Sequence, residues 1–184
     1  MQIRLATALC AVAPLTAPVT AHAVDYQTAD QAARAMFPQA DRFETHPLLL
    51  DAATQQQLAA QGLRARGPNW QAQVAMKGAT ALGFVVVDEV IGKFELITYA
   101  VGVGLDGAVT QVEILSYRES HGQEVRLPAW RRQFVGKRNG AALRVGDDIA
   151  NISGATLSCS HVTDGIRRVL WLLDHARRSG ALTP

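Results

Sequence analysis

The chain has 184 residues, a formal charge of +2 and 48% apolar residues. A charge this close to neutral excludes a nucleic-acid binder, which needs a strong basic excess. A single cysteine, Cys159, lies beyond the N-terminal segment, so a disulfide within the domain is excluded and stability must come from an ordinary core.

Residues 1–23 read as a cleavable signal. Arg4 gives a positive start, Leu5 to Thr20 is apolar and broken by Pro14 and Pro18, and Ala21-His22-Ala23 fits the small-x-small cleavage rule. Cleavage near Ala23-Val24 predicts a periplasmic or otherwise exported protein. The apolar run is too short and too interrupted to span a membrane. Lipidation of Cys10 is disfavoured because Leu9 precedes it. The remaining chain has seventeen basic and sixteen acidic residues, a formal +1. Its roughly 160 residues bury enough surface, about 70%, for one domain over 24–184.

Thr28-Ala29-Asp30-Gln31 is a capping box and predicts a short helix through Met36, stopped by Pro38. A second short helix is predicted from Asp51 through Leu58 to Gly62. Arg64 to Asn69, with Gly67-Pro68, reads as a linker. The period then becomes two: Trp70, Ala72, Val74 and Met76 alternate with polar residues, which describes a half-buried strand. Gly78-Ala79-Thr80 predicts a turn. Leu82 to Val87 is continuously apolar and predicts a central strand. Phe94 to Val103 and Val109 to Tyr117 are further strands, joined by the Asp106-Gly107 hairpin turn.

A polar loop follows, Arg118 to Arg126, and Leu127-Pro128-Ala129-Trp130 opens a helix running to Gly136. Arg144 to Ile152 reads as a connector. The clearest helix is Ser158 to Arg178, with Val162, Ile166, Val169, Leu170 and Leu173 on one face. Three or four strands in meander order, flanked by helices, give an α+β class: an antiparallel meander sheet packed with helices.

Ser153-Gly154-Ala155-Thr156 opens that last helix. A helix start offers unpaired N–H groups and a positive dipole end, so it attracts anions. Gly154 and Ala155 leave room for one, and Thr156 adds a hydroxyl. Read alone, Thr156 is better taken as an early helical residue behind a capping Ser153.

Three features together carry a resemblance over Leu82 to Leu173. They are Ser153-Gly154-Ala155-Thr156-Leu157-Ser158, the helix end Trp130-x-x-x-Phe134-x-Gly136-Lys137, and the loop Tyr117-Arg118-Glu119-Ser120-His121-Gly122. In their order and spacing the chain resembles the FMN-binding domain family, whose members include the C subunit of the sodium-translocating NADH:quinone reductase and the G subunit of the Rnf complex. The resemblance implies a single FMN-binding domain with its flavin-site region at about 82–173. It implies FMN joined to Thr156 by a phosphoester, made by a flavin transferase that uses FAD. It also implies an isoalloxazine between this helix start and the loop bearing Glu119, Ser120 and His121. Ser153, Gly154, Ala155, Ser158 and Lys137 are then the residues around the phosphate. The family commonly has Glu-Thr-Pro-Gly where this chain has Glu119-Ser120-His121-Gly122. It usually has an aspartate three residues before the motif serine, where this chain has Ala150, followed by Asn151, with Asp147-Asp148 upstream.

No nucleophile–base pair and no metal cluster emerges; Cys159 and His161 fall short of the four ligands of a zinc site. The function expected from the resemblance is an exported flavoprotein acting as an electron-transfer module for a membrane-associated redox protein. It is a carrier more than an enzyme with its own substrate. The alternatives are a flavin-dependent reductase of an extracytoplasmic substrate, using His121 or Glu119 as acid, and a binding module without flavin. Arg126, Arg131, Arg132, Lys137 and Arg138 form a basic stretch, either a solvated helix face or a docking patch for an acidic partner.

Overall fold

A computed structural model describes residues 24–183; the leader read in residues 1–23 lies outside them. Six strands form one antiparallel sheet in the order β1-β6-β5-β4-β3-β2. They are β1 (Val24–Asp25), β2 (Arg42–Leu49), β3 (Asn69–Lys77), β4 (Thr80–Ile91), β5 (Leu96–Gly104) and β6 (Val109–Tyr117). The helices are α1 (Ala29–Met36), α2 (Ala52–Ala60), the single turn α3 (Pro128–Arg131) and α4 (Thr156–Arg178). The α+β meander predicted from the pattern is therefore the architecture, with five sequence-consecutive strands rather than three or four.

Alternation along the strands builds two cores. Phe84, Val86, Tyr99, Val101, Val112 and Ile114 face α4, and meet Val162, Ile166, Val169, Leu170 and Leu173 from its buried side. On the opposite face, Val85, Ala100 and Leu115 receive Ala32, Ala33, Met36 and Phe37 around α1. α1 starts at the capping box, with Gln31 N–H donating to Thr28 Oγ1 at 3.2 Å and Thr28 N–H donating to Gln31 Oε1 at 2.8 Å.

Two elements differ from expectation. The pattern assigns no strand over β2, because Pro47 interrupts it and only one of its side chains, Leu48, is buried. It sits at the sheet edge, where a missing N–H costs no ladder bond. The helix predicted from Leu127 to Gly136 is one α turn followed by a 3₁₀ turn over Arg132–Phe134. Trp130 and Phe134 still meet edge to face, with ring centroids 5.1 Å apart, which closes this segment over β6. Among the described residues no helix is long and apolar enough to cross a membrane.

One core-facing position of β4 holds a carboxylate. Asp88 is fully buried between Phe84, Val86 and Val90 in the same row. It accepts from Tyr99 Oη at 2.6 Å, from Arg168 of α4 and from Arg66 Nε at 3.1 Å. Arg168 also donates to the Arg64 carbonyl at 2.9 Å. A buried charge is tolerated only with such partners.

Candidate functional site

At one end of the sheet the β4–β5 turn, the loop leaving β6 and the start of α4 enclose a cleft of about 390 Å³. That volume is within the ~300–1,000 Å³ typical of small-ligand sites. Its lining brings together Glu119, Ser120, His121, Gly154, Ala155, Thr156 and Ser158, leaving out Ser153 and Lys137 of the residues anticipated, and adds Lys93, Phe94 and Leu157. Two larger grooves exist, one of about 490 Å³ beside Arg64 and Leu96 and one of about 720 Å³ along β6. Neither is lined by any residue from the start of α4.

The helix start is open. α4 runs for 23 residues, its N-cap position is Ala155, and no side chain caps it. The first backbone bond into the helix is Cys159 N–H to the Ala155 carbonyl at 2.9 Å, so the amides of Thr156, Leu157 and Ser158 precede the hydrogen-bond ladder. Ser153 was one candidate cap; it sits exposed in the preceding turn and does not serve as one. Gly154 has φ +81°, with nothing within 4 Å of where a Cβ would be, so the approach to the amides is clear. Thr156 and Leu157 are exposed.

The segment leading into the motif is pinned. Trp130 Nε1 donates to the Ala150 carbonyl and Ala150 N–H donates to Gln133 Oε1, each at 2.8 Å. Asp148 closes the loop before it, accepting from Leu143 N–H at 3.1 Å, from Arg144 N–H and from Lys137 Nζ at 3.4 Å. The Arg144 amide is the main reason its carboxyl is held below the usual range, with Lys137 adding to it. Asp148 is thus spent on its own loop, and Asn151, from the position after Ala150, reaches the motif: its Nδ2 donates to Thr156 Oγ1 at 3.2 Å.

Lys137 lies outside the cleft lining, on Asp148, so the structure does not bring it to the helix start. Sequence adjacency to the Phe134 segment said nothing of where its side chain turns. Ser158 is at the site but its hydroxyl is committed. Tyr117 Oη donates to the His121 carbonyl and lies 3.2 Å from Ser158 Oγ, so the serine is the donor in that pair. Burial raises the Tyr117 pKa, which keeps the phenol protonated. Ser158 is left with its backbone N–H to offer. Gly122 has φ +87°, and a Cβ there would stand 2.3 Å from Ala155 Cβ, so the loop lies flush against the motif.

Glu119 lines the cleft with its carboxylate engaged by the β4–β5 turn. Its Oε1 accepts from Phe94 N–H at 2.6 Å and from Glu95 N–H at 2.9 Å. Partial burial pushes its pKa up, but these amides and the Lys93 charge outweigh that and bring it below the ordinary value. His161 of α4 donates from Nδ1 to the carbonyls of Ile91 and Gly92, bracing the same turn from below. His121 is exposed at the rim, with Nδ1 2.8 Å from Ser120 Oγ. Cys159 is buried, and its thiol pKa is raised by that burial. Among the described residues no three His, Cys, Asp or Glu side chains gather as a metal site.

The basic stretch resolves into local contacts. Arg131 pairs with Glu113, Lys137 with Asp148 and Arg138 with Asp106, while Arg126 lies over the Tyr26 ring at 4.5 Å and Arg132 Nε donates to the Pro128 carbonyl at 3.3 Å.

Taken together, the cleft offers an anion a set of helix-start amides and a reachable hydroxyl, with its one lining carboxylate engaged by the amides of Phe94 and Glu95. Residues 92–170, which contain every residue of that lining, match the model of the FMN-binding domain family. Among solved structures, NqrC of Shewanella oneidensis shares the fold with a TM-score of 0.52 at 14% identity, over 77% of this chain and 86% of that one. No curated protein sequence matches the chain. Over residues 92–170 the chain is similar to the FMN-binding domain family, and its fold resembles that of NqrC.

Proposed function

We propose, from an FMN-binding domain at residues 92–170, that this protein is an exported electron-transfer flavoprotein. In this reading the FMN phosphate sits at the start of α4 and is joined to Thr156. The observation that carries it is the uncapped start of a 23-residue helix, opening into a cleft beside an exposed threonine. The phosphate meets the amides of Thr156, Leu157 and Ser158 and the positive end of the dipole. Asn151 donates to the threonine oxygen, which leaves the hydroxyl proton free to be given up when the ester forms. Gly122 and Tyr117 hold the facing loop, and Glu119 holds the β4–β5 turn, so both walls are set before any ligand arrives.

When bound, FMN supplies one- and two-electron transfer, and the protein sets its position and surroundings. An FAD-dependent flavin transferase makes the bond. The Thr156 oxygen takes the FMN phosphoryl group of FAD, the pyrophosphate linkage breaks, AMP leaves and the hydroxyl proton passes to solvent. A membrane-associated redox protein then exchanges electrons with the loaded domain. The leader in residues 1–23 supports export, with the mature chain starting at Val24. Outside the cytoplasm a covalent tether retains a cofactor that is not readily replaced.

Co-expression with a flavin transferase, followed by a denaturing gel, tests this. The full chain is expected to fluoresce as flavin, and Thr156→Val to give a dark band while keeping the wild-type melting curve. A dark wild-type band, with no flavin absorbance in the native protein, overturns the reading. A fluorescent Thr156→Val band overturns the attachment site.

A further inference from the structure

The cleft contains one cation that the other basic groups nearby do not resemble. Arg131, Lys137 and Arg138 are each paired with a carboxylate. Lys93, at the tip of the β4–β5 turn, lines the cleft and makes no ion pair among the described residues. Its Nζ rests over the Phe94 ring, 4.8 Å from the centroid. The one acid in the lining, Glu119, accepts from the amides of Phe94 and Glu95 and feels the Lys93 charge without closing an ion pair with it. The turn that carries Lys93 is fixed from three sides: Gly92 N–H donates to the Glu95 carbonyl at 2.8 Å, Glu119 holds the next two amides, and His161 holds Gly92. A Cβ on Gly92 would come 2.6 Å from Glu119 Oε1, so the carboxylate is packed directly on the turn.

We propose that Lys93 is the residue through which this chain biases its flavin toward the reduced state, with Phe94 as the positioning residue that keeps the ammonium at the cleft. The proposal rests on the flavin reading above. Oxidised FMN that accepts two electrons from a donor and one proton from solvent becomes an anionic hydroquinone, one negative charge richer. A fixed cation at the cleft stabilises that added charge, so the reduced form is bound more tightly than the oxidised form. The helix start is already matched to the phosphate, whose charge is the same in both forms, so it contributes little to the difference. Lys93 is exposed, so its effect is screened by water and salt. A preference of up to about tenfold is the expected scale, which for a two-electron couple is about 30 mV.

The test is the midpoint potential of flavin-loaded full-length protein, titrated with dithionite at low and high salt. Lys93→Gln is expected to move the potential to a more negative value, by a shift that shrinks at high salt, and Lys93→Arg to keep the wild-type value. Phe94→Leu is expected to give a smaller shift in the same direction. Equal potentials for wild type and Lys93→Gln at low salt overturn the assignment of Lys93 while leaving flavin binding intact. A wild-type protein that takes up no flavin overturns both readings. Lys93 is a surface side chain, and an unchanged melting curve for Lys93→Gln separates a charge effect from damage to the turn.

Discussion

Asp148 shows how much a single side chain decides at this site. It lies close to the place where a motif acid is usual, yet its two oxygens are used on Leu143, Arg144 and Lys137. Because its carboxyl titrates below the ordinary value in the folded chain, the stability it adds is present above the unfolded pKa near 3.8. That stability fades as the pH falls through the folded value. Asp148→Asn is therefore expected to lower the melting temperature at neutral pH by loosening the 143–149 loop. The folded fraction should still accept covalent flavin. Unchanged stability with lost flavin, measured by differential scanning fluorimetry beside in-gel fluorescence, would reverse this and make Asp148 part of the attachment signal. The motif itself was legible because Ser, Gly, Ala and Thr in that order suit a helix start that leaves room for an anion. Lys93 and Phe94 were not, because they sit some sixty residues earlier, inside a stretch that the pattern assigned in part to a strand. The break at Gly92 between two apolar runs was the signal that a turn stood there.

Between elements, the join of α4 to the sheet depends on a glycine. Gly165 lies in the middle of the helix, where glycine ordinarily costs about 1 kcal/mol relative to alanine. A Cβ at that position would stand 1.9 Å from Tyr99 Oη and 3.1 Å from Val90 Cγ1. The helix must approach this closely for Arg168 to reach Asp88 across the same gap. Gly165→Ala is expected to destabilise by about 1–3 kcal/mol, since the buried phenol has no room to move. Chemical denaturation would show this as a lower midpoint, and an unchanged or raised midpoint would refute the packing argument. This contact was not readable from the sequence. The apolar positions of α4 give its buried face by period alone, but a carboxylate at Asp88 in a core row contradicts the strand pattern until its partners from three other segments are known. β2 escaped for a related reason: half-covered side chains and Pro47 give an edge strand little alternation to read.

Across the whole molecule the charge plan is one of local neutralisation. A near-neutral chain pairs Arg131, Lys137 and Arg138 of the basic stretch with acids at hand, while Arg126 and Arg132 make no ion pair among the described residues. The buried network gives the fold a distinct response to alkali. Burial, reinforced by the Asp88 charge, raises the Tyr99 pKa well above its usual value of 10, and burial raises that of Tyr117 as well. A group whose pKa is higher in the folded state contributes fully below its unfolded pKa and loses that contribution as the pH climbs toward the folded value. Stability is therefore expected to hold up to about pH 10 and to fall above it, with Tyr99 and Tyr117 ionising together with unfolding. Tyrosinate absorbance followed beside circular dichroism checks this. Ionisation of all three tyrosines at ordinary pH in a still-folded protein would contradict it.

The open start of α4 has one more consequence. A helix that begins on alanine, with three amides ahead of its ladder, is left without the cap that serine, threonine or aspartate commonly supplies at about 0.5–2 kcal/mol. A phosphate seated on those amides would act as the absent cap. Cofactor loading would then also be the last step of folding for the longest helix among the described residues. The empty protein would fray first at Thr156, where the incoming group has to be received, and a chain that missed its loading would be the one most exposed to proteolysis.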